Sequence, residues 1–162
     1  MSMYAIRAVQ ESDYNSIVEI YNSNKQFLRH HLGMDFIDEA FISKEMITMN
    51  KVGFCPCVIV NQDNSMIQGI LDYKPEQEIY LSLFMLTNHL QGKGVGSNIY
   101  SQFEIQMIQD KRESIRIDVV NDYQGNLVPF WKRHGFLENE NVILDWGNKK
   151  SKAVVMRKKL QR

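Results

Sequence analysis

A strand pattern that runs straight into a glycine-rich turn and then into a long helix constrains this chain most strongly. Residues 79–86 are mostly apolar, and residues 94–110 carry an apolar seam at helical spacing. The turn between them reads QGKGVG at residues 91–96. Glycines permit positive φ, and the first turn of a helix offers free backbone N–H groups at the positive end of its dipole. The sequence therefore predicts a phosphate-binding turn at this point.

Two familiar nucleotide-binding motifs do not fit this turn. The chain lacks the GxxxxGK[ST] pattern of a Walker loop. A GxGxxG fingerprint that starts at Gly92 would need glycine where Ser97 stands. The pattern that fits is [QR]xxGx[GA], which residues 91–96 satisfy after several upstream strands.

The other apolar periodicities predict alternating strands and helices within one domain of 162 residues, numbered 1–162. The predicted strands cover residues 4–9, 57–60, 66–73, 79–86, 114–120, 142–146 and 153–158. The predicted helices begin near Asp13, Asp38, Gly94 and Leu127, and a turn at residues 147–150 joins the last two strands. This order predicts an α/β fold of the α+β kind, with a mixed, mainly antiparallel sheet of seven strands and four helices on its two faces.

Charge and cysteine usage exclude several classes of function. Nineteen Lys+Arg balance nineteen Asp+Glu, so the chain lacks the basic surplus of a dedicated nucleic-acid binder. Residues 147–162 are nevertheless basic, which indicates either a solvated strand edge or attraction of an anionic partner. The close pair Cys55 and Cys57 is interpreted as small buried apolar residues, so no metal site is predicted.

The lengths of the apolar runs predict where the protein acts. The runs are far shorter than the roughly 20 residues of a membrane-spanning helix, so no membrane partner is expected. Residues 1–9 do not resemble a signal peptide. We therefore expect a cytoplasmic location.

A second motif completes a resemblance to a known family. Residues 130–136 read FWKRHGF, which looks like the F[YW]xxxGF segment after the fifth strand of GNAT-superfamily N-acetyltransferases. With the turn at residues 91–96 in the right element order, the chain resembles this superfamily over nearly its whole length. The resemblance implies a GNAT-like fold and acetyl-CoA as co-substrate. It also implies acetyl transfer to a primary amine of a small molecule or peptide.

The resemblance also implies which residues hold the cofactor. Backbone groups of Met85, Leu86 and Thr87 are expected to pair with the pantetheine arm like an added strand. A backbone N–H near Leu86 is expected to stabilise the oxyanion. The pyrophosphate is expected on Gln91, Gly92, Lys93, Gly94, Val95, Gly96 and Ser97. Trp131 is expected to pack against pantetheine or to belong to the core, and Asn126 to replace an asparagine of the family.

The reaction benefits from a base, because an alkylammonium with a pKa of about 10.4 lacks the lone pair that attacks the thioester. Asp118, in the middle of a predicted strand, is the strongest candidate. Its structural alternative is an ion pair with Arg116. Glu78 and Tyr80 are rival candidates for the base, and Asp72 is a weaker one.

The acid that would protonate the leaving thiolate is missing from its usual place. Many relatives carry tyrosine where this chain has Trp131, and an indole N–H does not give up its proton. Either Tyr123 substitutes or the thiolate leaves without an acid. The missing acid leaves a second function open, a non-catalytic acyl-CoA-binding regulatory module.

The resemblance places the amine acceptor near the final hairpin and a loop at residues 24–34, which lies between the first two helices. The residues predicted for an acceptor pocket are Phe27, Leu28, Arg29 and Met34. The alternative is that they only dock the helices. Adjacent His30 and His31 diverge on a helix and predict no metal site. Homodimerisation through the terminal strands is a further prediction.

Overall fold

A seven-stranded sheet forms the centre of the protein in a computed structural model that describes residues 3–147 and 149–161. The strands are β1 (Tyr4–Ala8), β2 (Cys55–Asn61), β3 (Ile67–Lys74), β4 (Glu78–Leu86), β5 (Ser114–Val120), β6 (Leu137–Asp145) and β7 (Lys150–Lys159). Their spatial order is β1-β2-β3-β4-β5-β7-β6, and only the β4–β5 pair is parallel. The predicted mixed, mainly antiparallel sheet is therefore confirmed.

Helices cover both faces of this sheet, as predicted. They are α1 (Tyr14–Ser23), the short α2 (Lys25–Phe27), α3 (Glu39–Lys51), α4 (Val95–Gln109) and α5 (Val128–Arg133). On the α1 face, Ile17 and Ile42 pack on the sheet in one apolar cluster. On the α4 face, Ile99 and Trp131 belong to a second cluster. The central strands of the sheet are thus buried on both sides.

The segment predicted as a loop at residues 24–34 is helical instead. α2 continues into a π-helical turn (Leu28–Leu32), which ends at Gly33 with a left-handed φ of 64°. Leu28 and Leu32 lie on the buried side and pack into the α1-face cluster. Within this segment only Leu28 and Leu32 are apolar residues four positions apart, and a single such pair is too weak a pattern to predict a helix.

The terminal hairpin is longer than predicted. β6 begins at Leu137 rather than at Val142, and its first half is exposed. It lies at the edge of the sheet and pairs only with β7, so its side chains are polar and carry little apolar alternation. The predicted turn at residues 147–150 includes Asn148, which lies outside the described residues.

The parallel strands β4 and β5 pair only at their beginnings and then separate. Residues 78–80 of β4 pair with residues 114–116 of β5. Beyond that point β4 continues along β3, while β5 continues along β7. Ser82 is an extra residue in β4 opposite the Asp72–Tyr73 step of β3, and such a bulge bends a strand. The separation opens a cleft through the sheet.

Candidate functional site

The cleft between β4 and β5 has a volume of about 800 Å³ and is lined from both faces of the sheet. Gly92, Gly94 and Trp131 line it beside α4 and α5, while Phe27 and His31 line it beside α2. An elongated ligand can therefore reach from the α4 face to the α1 face through the gap.

The glycine-rich turn before α4 is open to a ligand. Gly92 and Gly94 have φ values of 75° and 79°, and a Cβ added to either glycine would meet no atom within 4 Å. Gly94 is the N-cap of α4 and provides no side-chain cap for the first turn of the helix. The helix start therefore presents backbone N–H groups beside open space, an arrangement that can bind phosphate.

Aromatic residues of α5 and the residue that follows it pack against the start of α4. A Cβ on Gly96 would lie 3.8 Å from the Phe130 ring, and Ser97 Oγ lies 3.1 Å from His134 Nε2. Trp131 is buried, with ring contacts to Tyr100 at 5.1 Å and to Phe84 at 6.2 Å. Because Trp131 also lines the cleft, both predicted roles, cofactor wall and core residue, agree with its position.

Asn24 joins this turn to α1 and to the end of β4. Its Nδ2 donates to the carbonyl oxygens of Ile20 at 2.8 Å and of Leu86 at 2.9 Å. Its Oδ1 accepts a short hydrogen bond from Gln91 Nε2. The sequence analysis missed this role, because asparagine commonly follows the end of a helix. Nothing in the local sequence shows that this asparagine is buried and bonded to distant residues.

Some polar groups of the other predicted cofactor residues form hydrogen bonds within the protein. The Leu86 carbonyl accepts from Asn24, and the Thr87 N–H donates to the Gln68 carbonyl at 2.9 Å. Asn126 holds its own loop, donating to the Tyr123 carbonyl at 3.0 Å and accepting from the Val128 N–H. Met85 and Leu86 line the cleft, while Lys93 is exposed.

Asp118 is the only carboxylate among the described residues that line the cleft. Its side chain is 6% exposed and accepts two hydrogen bonds from Arg116, at 2.9 and 3.0 Å. Tyr80 Oη donates a third hydrogen bond at 3.2 Å. Arg116 and Asp118 alternate with residues of the α4-face cluster, so they face the α1 side.

The rival base candidates lie outside the cleft lining. Glu78 accepts from Arg157 Nε at 3.1 Å and from Ser114 Oγ at 3.0 Å, at the base of the β4–β5 gap. Burial, and then the charge of Asp118, raise the pKa of Tyr80 to about 12, so its hydroxyl keeps its proton. Asp72 lies in β3 and is buried.

The four predicted acceptor residues separate in the structure. Phe27 lines the cleft. Leu28 is fully buried in the α1-face cluster, and Met34 packs against the same cluster. Arg29 is exposed and does not line the cleft.

Further aromatic rings gather around Phe27 on the α1 side of the cleft. His31 lies 4.6 Å from the Phe27 ring, 6.4 Å from Tyr123 and 6.2 Å from Trp146. His30 stacks on Tyr123 at 4.2 Å. Burial lowers the pKa of His31 to about 4, and the neighbouring His30 adds to the shift, so His31 is neutral at pH 7. We call Phe27, His31, Tyr123 and Trp146 the aromatic cluster; the sequence analysis did not assemble it, because its members come from distant segments.

Two kinds of site are not found in the part of the chain that the structure describes. No group of three or more His, Cys, Asp or Glu side chains is arranged to hold a metal ion. None of the described helices combines the length and the apolar character needed to cross a bilayer.

The fold matches known proteins. A family model for the acetyltransferase (GNAT) domain matches residues 41–160. The chain therefore belongs to the GNAT acetyltransferase family, as its two motifs predicted. That family uses acetyl-CoA. No curated protein sequence matches the chain.

Solved structures share the fold at low sequence identity. An acetyltransferase from Thermus thermophilus is 16% identical, with a TM-score of 0.79 over 98% of this chain and 97% of that chain. The Salmonella typhimurium acetyl transferase that modifies the N-terminal serine of 50S ribosomal subunit protein L7/L12 is 15% identical, with a TM-score of 0.79 over 98% and 95%. Spermidine N-acetyltransferase from Vibrio cholerae, in complex with CoA and spermine, is 12% identical, with a TM-score of 0.75 over 97% and 95%.

Proposed function

We propose that this protein is an acetyl-CoA-dependent N-acetyltransferase that acts on a primary amine. One observation carries the proposal. A single cleft joins the open glycine turn on the α4 face to a buried carboxylate on the α1 face. A phosphate-bearing donor and an amine acceptor can therefore meet between β4 and β5.

The chain's own groups fit acetyl-CoA. N–H groups at residues 91–97 would bind the pyrophosphate, because Gly92 and Gly94 leave the space that a side chain would fill. Backbone groups of β4 that face the gap have no strand partner on β5 beyond Tyr80. Asn24 already engages the Leu86 carbonyl, so the pantetheine arm would pair with the remaining groups. Trp131 would form an apolar wall of this channel.

The reaction exchanges one bond for another at the acyl carbon. Acetyl-CoA supplies a thioester carbonyl; the amine nitrogen forms the new C–N bond, and the C–S bond breaks with its electron pair on sulfur. An ammonium acceptor first loses one proton to the base, which frees the lone pair for attack. The nitrogen loses a second proton as the C–S bond breaks, so that one proton can pass to the sulfur and the other goes to solvent. The backbone N–H near Leu86 remains our candidate for stabilising the carbonyl oxygen during attack.

Asp118 is our candidate base. It is buried, it lines the cleft, and it lies on the same side as the aromatic cluster. Arg116 and Tyr80 fix the orientation of its carboxylate. For the leaving sulfur, Tyr123 lines the cleft and keeps its proton, because burial and then Asp122 raise its pKa.

The neighbours in structure support an amine acceptor as a class. One is described as a spermidine N-acetyltransferase, and another modifies an N-terminal serine. Both acceptors are amines, although they differ greatly in size. The cytoplasmic location and a homodimer stay predictions.

Acetyl transfer can be measured directly as amine-dependent release of CoA thiol, with the acetylated product identified by mass spectrometry. We expect turnover with at least one primary amine and none without amine. Asp118→Asn should lower kcat and alter the pH–rate profile, whereas Glu78→Gln serves as the matched change at a rival carboxylate. A wild-type pH–rate profile in Asp118→Asn would exclude Asp118 as the base.

A second function is favoured by the hydrogen bonds that already engage both Asp118 oxygens. These bonds leave less capacity to accept a hydrogen bond from an acceptor amine, as expected of a non-catalytic acyl-CoA-binding module. Binding of acetyl-CoA without turnover over a broad amine panel would support the module and contradict the transferase.

A further inference from the structure

The aromatic cluster lines one end of the cleft with rings from three separate parts of the chain. Phe27 and His31 come from α2 and the π-helical turn, Tyr123 follows β5, and Trp146 follows β6. All four line the cleft, and ring contacts of 4.6–6.4 Å connect His31 to the other three. The cluster therefore spans the α1 side of the cleft from the helices to the terminal hairpin.

A hydrogen bond outside the rings holds this arrangement. Ser151 Oγ in β7 donates to the His30 carbonyl at 2.7 Å and ties the hairpin to the π-helical turn. The His30 ring stacks on Tyr123 with an interplanar angle of 6°. These contacts connect the terminal hairpin and Tyr123 after β5 to the π-helical turn, so the rings form one continuous aromatic lining at this end of the cleft.

The charges around the pocket disfavour an acceptor with several ammonium groups. Among the described residues, the charged side chains that line the cleft are Lys25, Asp118 and Arg133. Asp118 is already paired with Arg116. The ring of His31 is neutral, because burial lowers its pKa and the positive charge of Lys149 lowers it further. A polyamine would therefore find no second carboxylate in the cleft lining to pair with its remaining charges.

We propose that the acceptor is a small primary amine whose carbon skeleton carries an aromatic ring, and that this ring lies among Phe27, His31, Tyr123 and Trp146. Edge-to-face and offset contacts between rings favour an aromatic guest beyond simple apolar burial. The amine would then extend toward Asp118 and the end of the pantetheine channel. This inference rests on the proposed acetyltransferase function and specifies its acceptor.

The first test compares acceptors on the wild-type protein. Phenylethylamine, cyclohexylethylamine and spermidine are assayed with saturating acetyl-CoA. We expect kcat/KM for phenylethylamine to exceed that for spermidine by about tenfold or more, and to exceed that for the cyclohexyl analogue. Equal or better turnover of spermidine, or no preference for the aromatic ring, would overturn the inference.

The second test removes rings from the cluster. Trp146→Leu and Phe27→Leu should each raise KM for phenylethylamine by about tenfold, with KM for acetyl-CoA unchanged. Phe36→Leu is the matched control, because Phe36 is 66% exposed and does not line the cleft. An unchanged KM in both cluster variants, or an equal rise in the control, would contradict the proposed pocket.

A binding measurement separates failure of the inference from failure of the proposed function. Phenylethylamine is titrated calorimetrically into the protein saturated with free CoA, so that no turnover is needed. Binding that weakens in Trp146→Leu supports the inference. CoA binding without amine binding overturns the aromatic acceptor alone, whereas absence of CoA and acetyl-CoA binding overturns the acetyltransferase itself.

Discussion

Asp72 is a buried carboxyl group that the cleft does not use. It lies in β3 on the α1 side, and its Oδ1 has no hydrogen-bond partner among the residues that the structure describes. Burial raises the pKa of Asp72 to about 8, and the charge of Glu45 in α3 adds to the shift, while a hydrogen bond from the Cys57 backbone opposes it. The folded protein therefore keeps this carboxyl protonated at neutral pH.

Asp72 should make stability depend on pH. An unfolded aspartate has a pKa of about 3.9, so between about pH 4 and pH 8 the unfolded chain loses this proton while the folded chain retains it. The contribution of Asp72 to stability therefore falls as pH rises through this window. At pH 8, Asp72→Asn should raise the free energy of unfolding by about 2 kcal/mol or more, and with it the unfolding midpoint. At pH 4 the effect of the substitution should be smaller.

Thermal unfolding at the two pH values measures this effect. Asp63→Asn is the control, because Asp63 lies in the exposed turn between β2 and β3. The same gain at pH 4 and pH 8, or no gain at pH 8, would contradict a protonated Asp72 in the folded state.

Asn24 should matter for both stability and cofactor affinity. Asn24→Ala removes the 2.9 Å donor to the Leu86 carbonyl and the hydrogen-bond acceptor of Gln91. We expect a loss of about 1–3 kcal/mol of stability. We also expect weaker acetyl-CoA binding, because Gln91 begins the glycine-rich turn.

Asn22 provides a matched control on the same helix. Its side chain makes two hydrogen bonds to the Ile37 backbone, at 2.8 and 2.9 Å, away from the turn. Asn22→Ala should lower the unfolding midpoint as Asn24→Ala does, but leave the Kd for acetyl-CoA unchanged. Equal effects on Kd in calorimetric titration would show that Asn24 acts only through stability.

At the scale of elements, the turn before α4 tests where the phosphates bind. Gly94→Asp puts a carboxylate into the open cradle, and Gly94→Asn puts a neutral side chain of the same shape there. Both residues tolerate a left-handed backbone better than other side chains do, so the pair isolates the charge. Gly94→Asp should weaken acetyl-CoA binding by more than about tenfold, and beyond Gly94→Asn.

Gly147→Asp is the control for backbone strain in this comparison. Gly147 has a φ of 91°, and a Cβ there would meet no atom within 4 Å. We expect an unchanged Kd for acetyl-CoA in calorimetric titration of this variant. If Gly94→Asp binds as tightly as wild type, the phosphates do not bind at this turn.

The elements that carried strong periodicity could be predicted from the sequence. The seam of α4 and the alternation of β5 appear where they were expected, because one face of each is buried. The π-helical turn and the first half of β6 could not be predicted, since their form depends on packing and edge pairing rather than on a local pattern. The same limit applies to Asn24, whose side chain bonds to α1, to the end of β4 and to the glycine-rich turn.

At the scale of the whole molecule, the sheet holds the cleft open. Glu78 in β4 bonds to Ser114 in β5 and to Arg157 in β7, at the point where β4 and β5 still pair. Separate apolar clusters on the two faces fix the diverging halves of the strands. The order of the predicted strands and helices predicted the mixed sheet, but the shared cleft that Asp118 and the aromatic cluster line required the tertiary structure.

The most direct measurement is the thermal unfolding midpoint of the purified protein with acetyl-CoA, with free CoA and with NADH as the control. A ligand that binds only the native state raises stability by roughly 2.7 kcal/mol at a hundredfold excess over Kd. We predict a higher midpoint with acetyl-CoA and CoA and an unchanged one with NADH. No shift with either CoA species would contradict the assignment of the β4–β5 cleft as an acyl-CoA site.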